Sequence, residues 1–193
     1  MHRFIALDVE STGVDFCSSQ VIQCGAIFLD EKMQAVGSRE WDIKYISEKF
    51  SWDADAEEVH GISMEQAKTH GVAPEVFLKE FEQEIVKRYG ISEDIELHIV
   101  AANAHFDYLM LQRLWDAYRS DTALPLSRRM MDITALALAA LGVAGMSTTL
   151  EVLGIEEEEN KRHSALYDAE LHLQVFRALL GVLQQEGVSL VLK

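Results

Sequence analysis

Asp8 and Glu10 stand two apart in the apolar segment Ile5-Ala6-Leu7-Asp8-Val9-Glu10. Such a segment reads as a strand, and a period of two turns both carboxylates to the same face. Neighbouring carboxylates repel, and in a low-dielectric setting both stay ionised only beside positive charge. The same spacing also fits the exposed end of a strand. Asp107 follows a short apolar run, at the kind of strand-to-helix junction where an aspartate is commonly an N-cap. Asp168 comes five residues after His163, and with Glu170 it equally suits the electropositive start of a helix. His163 is one of seven histidines and says little alone. Carboxylates that converge can hold divalent ions, which activate a water and offset developing negative charge. Oxygen ligands of this type suit Mg²⁺ or Mn²⁺, and the sequence shows no Cys/His cluster of the zinc type.

The elements that must position these residues follow from the periodicity. Arg3 to Val9 predicts a strand ending at Ser11-Thr12-Gly13, and Gln20 to Leu29 a second. Asp30-Glu31-Lys32 forms a turn into a third strand over Ala35 to Ile46, giving an antiparallel meander. From Ala54 the pattern turns helical. Phe77, Phe81 and Ile85 recur every four residues, with Pro74 in the first turn and Gly90 at the end. Leu97 to Ala102 predicts a buried strand, Phe106 to Tyr118 a helix, and Arg129 to Met131 a short strand. Helices are expected over Ile133 to Leu141, Thr148 to Leu153 and Ala165 to Gln185, the last with a stripe of Leu166, Ala169, Leu173, Phe176 and Leu180. Glu156 to Glu159 reads as a solvated loop. A meander followed by alternating strand and helix implies an α/β fold with a mixed sheet and helices packed over it.

The 193 residues suit a single domain, 1–193, with a full hydrophobic core. A composition 49% hydrophobic and 25% charged, with two prolines, is that of a globular chain. No apolar run approaches the roughly 20 residues of a membrane helix, and no signal peptide is evident. With Cys17 and Cys24 its only cysteines, a reduced, cytoplasmic protein without a membrane partner is the expectation. The net charge of −15, from 17 basic against 32 acidic residues, argues against a firm grip on nucleic acid.

Order and spacing make the separate positions specific. Ala6-Leu7-Asp8-Val9-Glu10-Ser11-Thr12-Gly13, then Ala102-Asn103-Ala104-His105-Phe106-Asp107, then His163-Ser164-Ala165-Leu166-Tyr167-Asp168-Ala169-Glu170 occur in that order. Val59-His60-Gly61-Ile62 and Asp132-Ile133 fall between them. This set resembles the DEDDh (DnaQ-like) family of 3′–5′ exonucleases, nearest its proofreading and ribonuclease T branch, over about residues 3 to 180. Ala102 stands where many members have His, and Ser11 where many have Thr. Neither position is a metal-binding carboxylate, so the departures bear on substrate contacts.

The resemblance implies a ribonuclease H-like fold: a central mixed five-stranded sheet, its first three strands antiparallel, with helices on both sides. It implies two Mg²⁺ or Mn²⁺ ions held by Asp8, Glu10, Asp107 and Asp168, with Asp8 shared by both ions and His163 as general base. It implies that Thr12, Gly13 and Val14 cradle the terminal nucleotide, with His60, Asn103 and Phe106 as further substrate contacts. Phe16 is as readily a core residue as a base contact. The expected substrate is a short single-stranded 3′ end of DNA or RNA, cut to nucleoside 5′-monophosphates. Lys161-Arg162, Arg113 and Arg128-Arg129 are the basic residues near the motifs. With no long basic stripe, the enzyme is expected to act alone, as a homodimer, or with a partner that delivers substrate. A non-catalytic nucleic-acid-binding or regulatory module on the same fold is the alternative.

Overall fold

The computed structural model describes residues 2–90, 96–158 and 164–188. Its five strands are β1 (His2–Ser11), β2 (Val21–Leu29), β3 (Ala35–Asp42), β4 (Glu96–Ala101) and β5 (Met131–Asp132). They form one sheet in the order β3-β2-β1-β4-β5. β1 pairs antiparallel with β2 and parallel with β4, β3 extends the meander, and β5 runs parallel to β4. The helices are α1 (Ala54–His60), α2 (Met64–Thr69), α3 (Pro74–Tyr89), α4 (Ala104–Tyr118), α5 (Ile133–Leu141), α6 (Met146–Leu153) and α7 (Ala165–Gln185). No single helix among the described residues is long and apolar enough to cross a membrane.

Alternation along β1 divides the core. Ile5, Leu7 and Val9 pack with Phe77 and Phe81 of α3 and Leu111 and Trp115 of α4. Phe4 and Ala6 join Ile133 of α5, Leu150 of α6, and Val175 and Phe176 of α7 on the other face. Asp8 and Glu10 continue the Phe4–Ala6 register, so they emerge where the apolar packing under α7 ends.

Two boundaries and one helix face differ from the periodicity in instructive ways. β3 stops at Asp42 rather than Ile46. There the chain exchanges partners: the Val72 amide donates to the Asp42 carbonyl (2.9 Å) and the Lys44 amide to Val72 (2.8 Å). α4 begins at Ala104, two residues early, with Asn103 as its N-cap in the left-handed region (φ 54°). Asp107 is therefore inside the first turn and is not the cap. The buried arc of α7 is wider than a single stripe, taking in Leu171, His172, Val175 and Leu179, because the helix lies across β1 and β2.

Candidate active site

Each carboxylate reaches the cleft from a different element. β1 supplies Asp8 and Glu10, the start of α4 supplies Asp107, and the start of α7 supplies Asp168. One carboxylate oxygen from each of Asp8, Glu10 and Asp168 lies within 4.8 Å of the others. Asp107 joins them through the backbone: the Val9 amide donates to its Oδ1 (3.1 Å), between the two β1 carboxylates in sequence. Asp8, Glu10, Asp107 and Asp168 line one cleft of about 540 Å³, together with Asn103, His105, Phe106, Glu157 and His172.

Two helix starts are held from outside. Asp132 accepts from its own helix at Ala135 (3.0 Å) and from the Ala104 amide of α4 (3.0 Å), which fixes the turn bearing Asp107. At α7 the N-cap Ser164 makes no side-chain cap bond. Instead the Ala165 amide donates to Gln23 Oε1 (2.9 Å) and the Leu166 amide to Glu40 Oε1 (2.9 Å). Side chains of β2 and β3 thus satisfy the free amides of the turn that carries Asp168. The approach is close because β2 has Gly25 there, opposite Asp8 in the ladder. A Cβ at Gly25 would lie 2.2 Å from backbone atoms of Ala165 and Leu166.

Burial and like charge set the electrostatics. Burial pushes the Asp8 carboxyl well above the usual aspartate range, and the charges of Asp107, Glu10 and Asp168 add to it. Glu10 is pushed up to about 7, by burial first and Asp168 second. Asp107 is also raised by burial, against the opposing effect of the backbone amides that bond it. His172 is held down to about 4 by burial, opposed by its bond to the Leu7 carbonyl (3.3 Å). Its Nδ1 is 3.9 Å from Asp8 Oδ1, and the ring is neutral at ordinary pH. A neutral imidazole leaves the carboxylate charge uncompensated. Converging oxygen donors with excess negative charge are the donor set that hard divalent cations take.

The remaining sequence candidates divide. Asn103 and Phe106 line the cleft. Val14 projects beside the strand end, 75% exposed. Thr12 is fully buried, and its hydroxyl accepts from the Gln20 amide (2.9 Å). It shapes the loop and offers no side-chain surface to a substrate. Gly13 lies against Ser19 and Asp53. His60 is buried against the edge of Trp52, with Nδ1 accepting from the Ile62 amide (3.0 Å). None of Thr12, Gly13, Val14 and His60 lines the carboxylate cleft. Phe16 packs on Phe106, ring centroids 5.5 Å apart. His163, Lys161 and Arg162 lie outside the described residues.

Sequence reasoning passed over three polar cleft residues. His172 follows Asp168 by four, one helical turn, and that spacing was a usable signal. Glu157, placed by its sequence in a solvated acidic loop, lines the cleft instead. His105 sits inside the second motif without a distinguishing pattern. Arg129, grouped by sequence with the basic residues near the motifs, is bound to Glu96 (3.0 Å) at the start of β4. That is the opposite end of the sheet from the carboxylates.

The exonuclease family model RNase_T matches residues 5–176. The PolC-type DNA polymerase III of Thermotoga maritima is 32% identical over 195 residues, and that of Thermotoga petrophila 31% over 191. The matches cover 96% of this chain but only 12% of those relatives' length. Among solved structures, E. coli exonuclease I in complex with a dT13 oligonucleotide superposes with a TM-score of 0.73 at 16% identity, over 97% of this chain and 43% of that one. A moderately thermophilic exonuclease I from Methylocaldum szegediense gives 0.71 at 17% identity, over 94% and 41%. The sheet order and helix placement are thus those of a ribonuclease H-like fold, and the chain belongs to the exonuclease family, as its DEDDh motifs imply.

Proposed function

We propose that this nuclease is a metal-dependent 3′–5′ exonuclease acting on single-stranded ends and releasing nucleoside 5′-monophosphates. The observation that carries the reading is the convergence of Asp8, Glu10 and Asp168 within one cation's reach, with Asp107 tied to the strand between them. Divalent cations bound there would acidify a water and neutralise charge on the phosphoryl group. Asp8, Glu10 and Asp168 would hold the ion beside that water, with Asp8 and Asp107 serving a second. His163 would take the proton of the attacking water as general base, a role suited to an imidazole near neutral pH. The bond broken joins phosphorus to the 3′ oxygen of the penultimate nucleotide. Asn103 and Phe106 stand where they could position the last nucleotide, and exposed Val14 where it could lie against a base. Stacking and apolar contact of this kind tolerate any sequence.

Single-stranded DNA is the favoured substrate. Exonuclease I of E. coli is complexed with dT13, and the sequence relatives are DNA polymerases by name. Those relatives also make a polymerase a reasonable delivery partner. The test is digestion of 5′-labelled DNA and RNA of several lengths with Mg²⁺ or Mn²⁺. A ladder shortening from the 3′ end is expected, stronger on DNA, and abolished by Asp8→Ala. Cleavage of a circular strand would make the protein an endonuclease. Metal binding without cleavage of any strand would make it a binding module.

A further inference from the structure

We propose a second metal site, for a borderline cation such as Zn²⁺, formed by His2, Glu96 and His98 at the end of the sheet away from the carboxylate cleft. The parallel register of β1 and β4 sets His2 beside Glu96 and Phe4 beside His98. His2 Nδ1 is 2.8 Å from His98 Nε2 and 3.4 Å from Glu96 Oε2, and His98 Nε2 is 3.7 Å from the same oxygen. Zinc bonds of about 2.0–2.1 Å in tetrahedral geometry place donors about 3.3–3.4 Å apart. The three separations bracket that edge, so small side-chain adjustments would bring all three donors onto one ion.

The ring of His98 is oriented for the task. Its side chain is buried, tilted against Phe4 with ring centroids 5.5 Å apart, and its Nδ1 lies 2.7 Å from the Arg129 carbonyl. A carbonyl can only accept, so Nδ1 carries the proton and the Nε2 lone pair faces His2 and Glu96. Metal-binding histidines are typically fixed in this way by a backbone carbonyl on the second nitrogen. His2 and Glu96 are each about two-fifths exposed, which gives an ion a path in and leaves a fourth position for water. Two imidazole nitrogens and one carboxylate suit zinc, whereas the clustered carboxylate oxygens of the cleft suit Mg²⁺. Arg129 bonds Glu96 Oε1 at 3.0 Å and Oε2, the donor oxygen itself, at 3.2 Å, so it competes for the carboxylate and an ion must displace it from Oε2. An ion here would fasten the start of β1, the strand that carries Asp8 and Glu10 at its other end, to β4. Because the donors are assembled only in the folded chain, binding would raise stability by mass action.

The test uses untagged protein in excess Mg²⁺, which occupies the cleft, with Zn²⁺ added for thermal melts and Co²⁺ for visible absorption. The wild type should gain several degrees in Tm with Zn²⁺ and give the intense visible bands of four-coordinate cobalt, stoichiometrically. His2→Gln and Glu96→Gln should each lose both signals while keeping wild-type nuclease activity in Mg²⁺. His98 is buried and its replacement could unfold the sheet edge, so the two exposed ligands carry the test. Asp8→Asn should retain both signals. A zinc response equal to wild type in His2→Gln, or one lost in Asp8→Asn, would overturn the assignment. So would the absence of any response in the wild type, which would leave His2 and His98 as a hydrogen-bonded imidazole pair.

Discussion

Glu10 gives the cleft a pH signature that can be measured without substrate. Its ordinary value is near 4.5, and in the folded chain it is pushed up to about 7. A carboxyl raised on folding binds more protons when folded, so its stabilisation is complete below the unfolded value and is lost as pH rises through the folded one. Asp8 and Asp107 act in the same direction. His172 opposes them, since a histidine lowered from 6.5 to about 4 adds stability as pH rises across that interval. Above pH 6.5 only the carboxylates remain in play. Tm in EDTA should therefore fall between pH 6.5 and 8, and the increment restored by Mg²⁺ should grow over the same range. A flat Tm in EDTA would contradict the clustered charge. Asp8→Asn removes one of the repelling charges. It should raise the stability in EDTA at pH 8 by about 1 kcal/mol, a Tm gain of roughly 2–4 °C for a chain of this size, while abolishing cleavage and the Mg²⁺ increment. His163→Ala belongs to a different class: turnover should drop by about 10² or more with the Mg²⁺ increment intact. Loss of both together would make His163 structural.

Among the elements, the start of α7 matters most, because it places Asp168 against β1 through contacts remote in sequence. Gly25 permits the approach, and Gln23 and Glu40 supply the missing cap. A methyl at Gly25 would meet backbone, which cannot rotate away. Gly25→Ala should cost on the order of 1–3 kcal/mol as an overpacked contact. By shifting Asp168 it should lower kcat by about 10². Melts and steady-state rates would check it, and wild-type turnover would show that α7 does not need this seat. This dependence also marks how far the sequence could be read. β1, α3, α5 and α7 were legible because period-two and period-3.6 patterns, with Pro74 and Gly90 as punctuation for α3, are local signals. The common face of Asp8 and Glu10 followed from the same alternation. Gly25 gave no signal, since a glycine in a strand does not say which backbone comes near it. The early end of β3 was hidden because residue 72 competes for its hydrogen bonds from across the chain. The metal-like grouping of His2 with His98 was hidden for the same reason, being separated by 96 positions and joined only by strand pairing.

The whole molecule carries −15 charge, and among the described residues the cations are not gathered around the cleft. Arg39 pairs with Glu80 and Glu84, Arg88 with Glu84, Arg119 with Glu82, and Arg3 with Glu31. Among the described residues, no lysine or arginine lines the carboxylate cleft. A strand should therefore be held chiefly by the metal at its terminal phosphate, with apolar contacts to the last bases. Binding measured with Ca²⁺, to suppress turnover, should weaken only gently with salt, because few counterions are released per complex. Lengthening the oligonucleotide beyond the few nucleotides the cleft can hold should add little affinity, and EDTA should abolish binding. Such an enzyme would release its strand often and would gain most from a tether. Fusion or binding to a polymerase raises the local concentration of 3′ ends without any new phosphate contact. A salt slope corresponding to six or more phosphates, or firm binding in EDTA, would show instead that a cationic surface does the gripping.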